Sequence, residues 1–182
     1  MSATTTNAPA FLVLTVIGDD RPGLVGELAA VVAAHQGNWL ESSMAQLAGK
    51  FAGIVKICVA QTQAPKLQQA LLKINQLKIT VEVSEASQLV LATRRLKLAL
   101  VGNDRIGIVK EVSQVLAHHA VNVESLETHT SSAPMSADTL FHAVAELTAA
   151  ASLDATALTR ELERISNDLM VDITLDESIS HN

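Results

Sequence analysis

Tyrosine is missing from this chain of 182 residues, and its other aromatics are one Trp and three Phe. A core built from it must be aliphatic, and platforms on which unpaired bases could stack are scarce. There is one cysteine, Cys58, so an intrachain disulfide is excluded and a reducing compartment fits. Set in Ile54-Val55-Lys56-Ile57-Cys58-Val59, it reads as a buried structural thiol. Basic residues are outnumbered, 13 Lys and Arg against 19 Asp and Glu, for a net charge of −6. That balance argues against direct nucleic-acid binding, which needs a concentrated basic surface. The one basic cluster, Arg94, Arg95 and Lys97, reads as a solvated strand end. No apolar run is long enough to span a bilayer, and Met1 to Ala10 lacks the basic start and apolar stretch of a signal peptide. A soluble, cytoplasmic protein with no membrane partner is expected. Phosphate-binding and dinucleotide-binding glycine motifs are missing, as is a Gly-x-Ser-x-Gly elbow around Ser42, Ser43, Ser131 or Ser132. No catalytic residue and no cofactor is expected.

What the chain does have is a repeat. Gly18-Asp19-Asp20-Arg21-Pro22-Gly23 follows the apolar run Phe11 to Ile17 and precedes a helix-patterned stretch from Leu24. Gly102-Asn103-Asp104-Arg105-Ile106-Gly107 follows Leu96 to Val101 and precedes Ile108 in the same way, at the offset that carries Asp20 onto Asp104. Leu12/Leu96, Leu14/Leu98, Val25/Val109, Glu27/Glu111, Val31/Val115, Ala33/Ala117, His35/His119 and Asn38/Asn122 are identical at that offset. The chain is a duplication of a unit of roughly 80 residues.

Within the first unit, Phe11 to Ile17 predicts a central strand. Leu24, Leu28, Val31, Val32 and His35 recur at three and four, which predicts a helix with one face toward a sheet. Gly37 follows its end. Asn38 to Leu47 and Phe51 to Gln61 read as a hairpin turning at Gly49. Pro65 opens a second helix with Leu67, Leu71, Ile74 and Leu77 on one side, and Ile79 to Val83 closes the unit. The second unit repeats this with Leu96 to Val101, a helix through Ile108, Val112, Val115 and Leu116, strands near Val121 to Thr130 and Asp138 to Leu147, a helix from Leu158 to Leu169, and Val171 to Leu175. Strand, helix, strand, strand, helix, strand predicts an α+β fold: two ferredoxin-like βαββαβ domains, each an antiparallel four-stranded sheet with both helices on one face. The expected divisions are an N-terminal arm 1–10, domains 11–84 and 94–176 joined by a linker 85–93, and a tail 177–182.

A glycine-bounded turn that delivers a strand into a helix exposes the first helical amides, whose partial positive charge suits a carboxylate. Gly23 and Gly107 leave room for close approach, and Pro22 stiffens the first turn. Asp20 and Asp104 can accept a hydrogen bond from an α-ammonium group or cap their own helices, and the two uses compete. Asn38 and Asn122 offer amides that donate and accept at once.

Strand, Gly-x-Asp-Arg-Pro-Gly, amphipathic helix, then His-x-x-Asn resembles the ACT domain, a small amino-acid-sensing module of ferredoxin-like fold. Two such units from about Phe11 to Leu175 resemble the glycine cleavage system transcriptional repressor family. The resemblance implies side-by-side pairing of sheets, a homodimer or other homo-oligomer, and effectors held between one unit's loop and helix start and its neighbour. Carried over, it places Asp20, Arg21, Pro22, Gly23, Leu24 and Asn38 at one candidate site and Asp104, Arg105, Gly107, Ile108 and Asn122 at the other. Ile106 departs from the motif's proline, so the second loop is expected to be less rigid. The function implied is a non-enzymatic regulator that responds to a small amino acid, glycine foremost, and acts on a transcription activator by protein contact. The alternatives are a regulatory subunit of an amino-acid or one-carbon enzyme, and a ligand-free dimeriser.

Six histidines raise the question of a metal site, above all His118-His119 with His129 and His142. Neighbours on a helix point apart, and no cysteine or carboxylate spacing completes a ligand set. They are read as helix-end and strand-surface residues, and no metal is expected. Glu41, Glu124 and Glu127 are read as solvated.

Overall fold

The computed structural model describes residues 8–84, 93–133, 138–169 and 171–178. The chain divides into two compact units, Met1–Gln88 and Leu89–Asn182. The expected linker 85–93 falls almost wholly outside the described residues, as does most of the arm 1–10.

In the first unit β1 (Pro9–Asp19), α1 (Leu24–Ala34), β2 (Asn38–Leu47), β3 (Lys50–Ala60), α2 (Ala64–Leu71) and β4 (Leu77–Ser84) follow one another. The sheet order is β2-β3-β1-β4 and every pairing is antiparallel. This is the expected ferredoxin-like unit, with β1 beginning two residues inside the stretch read as an arm. Leu12, Leu14 and Val16 alternate with more exposed neighbours along β1 because one sheet face alone is covered. They pack with Val55, Ile57 and Val59 of β3, with Leu24, Leu28 and Val32 of α1, and with Leu67 and Leu71 of α2. Each such side chain contributes about 1.5–3 kcal/mol by leaving water. Cys58 lies between Ile57 and Val59 on the other face. It is half-buried, so the expectation of a buried thiol fails for a reason of parity.

The second helix is shorter than expected. Ile74 and Leu77 continue its apolar spacing, but the helix ends at Leu71 and the chain turns through Gln76, whose φ is 73°. Leu77 is buried as the first residue of β4. A short turn, Ala48-Gly49, with φ of 50° and 77°, joins β2 to β3, as an antiparallel hairpin favours.

The second unit repeats this arrangement with β5 (Thr93–Asn103), α3 (Ile108–His118), β6 (Asn122–Ser132), β7 (Thr139–Ala150), α4 (Ala155–Leu169) and β8 (Val171–Ser178), in sheet order β6-β7-β5-β8. Strand β8 takes in two residues of the expected tail. The edge strands β2 and β6 each carry a bulge near the start, at Leu40 and Glu124, positions related by the repeat. Glycine lets β1 and β5 approach a neighbour: a Cβ on Gly18 would lie 2.6 Å from the Gln76 carbonyl oxygen, and one on Gly102 would lie 2.2 Å from Val171 Cγ1. Among the described residues no helix is long and apolar enough to cross a membrane.

Candidate functional site

Each repeated loop leaves the end of a central strand and enters a helix through a left-handed glycine. Gly23 has φ 93° and Gly107 φ 101°, values that cost an L side chain about 1–2 kcal/mol. Asp20 and Asp104 do not cap these helices, contrary to the simpler use considered for them. Gly23 and Gly107 are the N-cap residues, and no side chain caps either start. By contrast, Asp154 Oδ1 accepts from the Ala157 amide at the start of α4. The loops thus leave their helical amides open to an outside acceptor, and no atom comes within 4 Å of a Cβ built on Gly23. The aspartates' backbone amides pin the loops instead: Asp20 N donates to Gly49 O at 2.9 Å and Asp104 N to Thr139 O at 2.8 Å. Their side chains are left exposed, as is Pro22.

Arg21 was grouped with the ligand residues, but its guanidinium is already engaged. It donates to both carboxylate oxygens of Glu27 at 2.7 Å and to Gln76 Oε1 at 3.2 Å. This brace ties the loop to the first turn of α1 and to the turn before β4. The hydrogen bonds from Arg21 hold the Glu27 carboxyl below the ordinary glutamate range and raise Arg21 itself. They also neutralise a carboxylate that would otherwise oppose an anion at the helix start. Arg105 makes the weaker version, 3.2 Å to each Glu111 oxygen, and also donates to the carbonyl of its neighbour Ile106 at 3.4 Å. Ile106 is 99% exposed. The identical spacing of Arg21 to Glu27 and Arg105 to Glu111 was a signal that could have revealed the brace.

Leu24 and Ile108 bury their side chains in the two cores, so their amides are what they can offer a ligand. Asn38 and Asn122 are exposed but lie at the other end of their sheets. Asn38 sits opposite Cys58, which pairs with Phe11 near the start of β1, whereas Asp20 follows the end of β1. Helix α1 carries the chain back by about 16 Å between the two. The asparagine and the loop of one unit therefore do not form one pocket. The same holds for Asn122, opposite Thr148, and Asp104.

Two polar groupings escaped the sequence reading. Ser131 Oγ is hydrogen-bonded to His142 Nε2 at 2.7 Å, so this serine does have a paired base, and His142 stacks on His129 at 4.5 Å. Among the described residues no carboxylate orients His142, so the pair lacks the third member of a hydrolytic triad. Glu161 Oε2 accepts from His119 Nε2 at 2.8 Å and from His118 Nδ1 at 3.3 Å. The bond from His119 first, and that from His118 after it, hold the Glu161 carboxyl below its ordinary range. His118 is the last residue of α3 and His119 its cap, where the chain leaves helical geometry, and this lets adjacent side chains reach one acceptor.

The antiparallel βαββαβ units each carry an uncapped, glycine-led loop at the end of a central strand, and residues 10–84 match the family model of the ACT domain. The second unit repeats the topology of the first, so the chain is a tandem of two ACT-like ferredoxin units. A crystal structure of an unknown protein from Galdieria sulphuraria is 29% identical, with a TM-score of 0.82 over 94% of this chain and 100% of that one. The structure of a "putative glycine cleavage system transcriptional repressor" is 19% identical, with a TM-score of 0.69 over 94% of this chain and 99% of that one. At that identity the likeness is one of fold. No curated protein matches the sequence.

Proposed function

We propose that this protein is an amino-acid-responsive regulator that works by protein contact and carries no catalysis of its own. The observation that supports it best is the uncapped start of α1 behind Gly23, where a ligand carboxylate would accept from helical amides and an α-ammonium group would meet the exposed Asp20 carboxylate. Asn38 approaches this end of the sheet if it comes from a second copy. Antiparallel pairing of two β2 edges would set Asn38 of one chain against Leu47 of the other, and Leu47, Lys50 and Asp19 are in register across the sheet. That brings the asparagine to the loop's end of the sheet, three strand spacings or about 14 Å from Asp19. The amino acid would then favour the paired state because it binds that state better. Glycine is the first effector to test, a transcription activator is the partner class, and the cytoplasm is the compartment. The net charge of −6 favours a protein partner over direct contact with DNA.

The test is thermal and chemical stability of the purified chain against a panel of amino acids. A native-state ligand at about 100 times its Kd adds roughly 2.7 kcal/mol. Stabilisation by one small amino acid and not by the rest of the panel, lost in Asn38→Ala, is the expected result. No response to any amino acid would remove the sensor and leave a ligand-free dimeriser.

A further inference from the structure

We infer that the second unit contains a divalent transition-metal site, with zinc as the natural occupant, formed by His118 and His119 at the end of α3 and Glu161 on α4. One ligand atom from each residue lies within 4.8 Å of the others. Two of the separations are already 2.8 and 3.3 Å, between Glu161 Oε2 and the two imidazoles. In a tetrahedral zinc shell, with bonds of about 2.0–2.1 Å to nitrogen and oxygen, neighbouring ligand atoms stand about 3.3 Å apart. Small side-chain rotations therefore convert a shared hydrogen-bond acceptor into a shared metal.

The surroundings favour a cation. The last turn of α3 turns its partly negative carbonyl end toward the site. His119 is held in place, with its side chain 14% exposed, while His118 is 73% exposed and leaves an open side on which water can complete the shell. Two imidazoles and a carboxylate suit zinc and the later first-row metals, and they suit magnesium or calcium poorly. The site belongs to one unit alone. In the other, Ala34 stands at the position of His118, and His35 donates its Nδ1 proton to the Val31 carbonyl at 2.9 Å. A bound metal would fasten α3 to α4, helices of the same unit from distant parts of the sequence.

The full chain, freed of metal with a chelator, is titrated with zinc by calorimetry and with cobalt(II) by visible absorption. One zinc per chain and a tetrahedral cobalt spectrum are expected in the native protein, in His142→Ala and in Asn38→Ala. Both signals are expected to vanish in His119→Ala and in Glu161→Gln, the latter preserving side-chain size, with circular dichroism showing that each variant is folded. The site is refuted by a native chain that takes up no zinc. It is equally refuted by binding that survives in folded His119→Ala and Glu161→Gln, or by binding that disappears in His142→Ala. Asn38→Ala also separates this site from the amino-acid site, since that substitution removes the one response and leaves the other.

Discussion

The two units share a loop, a bulge and a sheet order, yet their loops are held differently. The first is clasped: Pro22 fixes one backbone angle, and Arg21 grips Glu27 at 2.7 Å twice and reaches Gln76 as well. The second has Ile106 projecting into solvent and bonds from Arg105 to Glu111 longer by 0.5 Å. The histidines reverse the pattern. His35 satisfies itself within its own helix, whereas His119 ties its helix to another. Duplication preserved the apolar frame, and the polar residues on it diverged toward a rigid loop in one unit and a polar helix-to-helix tie in the other.

The largest effect separating the units should come from the glycines that let β1 and β5 meet their neighbours. Gly18→Ala and Gly102→Ala each force a side chain into occupied space and should cost about 1–3 kcal/mol in chemical denaturation. Gly102→Ala is expected to cost more, because Val171 meets the new methyl with its Cβ and Cα as well as Cγ1, all within 2.7 Å. Equal losses would show that β8 yields more easily than β4.

A smaller change should erase part of the difference between the loops. Ile106→Pro gives the second loop the first loop's residue and should raise stability by about 0.4–1 kcal/mol, chiefly by restricting the unfolded chain. A loss of stability would mean that the second loop uses a backbone angle or an amide that proline cannot supply.

The smallest effect concerns the brace and pH. Glu27 is held below the ordinary glutamate value of 4.5, so its contribution is present above that value and disappears as pH falls through the lowered one. The stability difference between the native protein and Glu27→Gln should therefore be seen at neutral pH and vanish in strong acid. A difference that persists in acid would point to packing rather than charge.

What the sequence revealed and what it hid follow one line. Strands β1 and β5, helices α1 and α3 and the loops were legible because their apolar spacing is local and appears twice. The end of α2 was not, because Ile74 and Leu77 keep a helical spacing across a turn set by Gln76, and spacing does not reveal a turn. Asn38 was grouped with Asp20 because a motif is linear, whereas α1 runs the length of the sheet before Asn38 begins the next strand. Glu161 was invisible beside His118 and His119 because it comes from α4, and only the packing of α3 on α4 unites them.

The sheet order has a consequence for how the chain is assembled. Strand β1 is made first but finds its partners late: Gly18 pairs with Phe51 on one side and with Leu77 on the other. The hairpin of β2 and β3 can close while the chain is still emerging, since its ends are local. The loop after β1 cannot complete its brace until Gln76 has been synthesised and β4 has docked. The loop proposed to receive a ligand is therefore translated early and completed late, so a ligand that needs the finished loop would find it only once the whole first unit has folded.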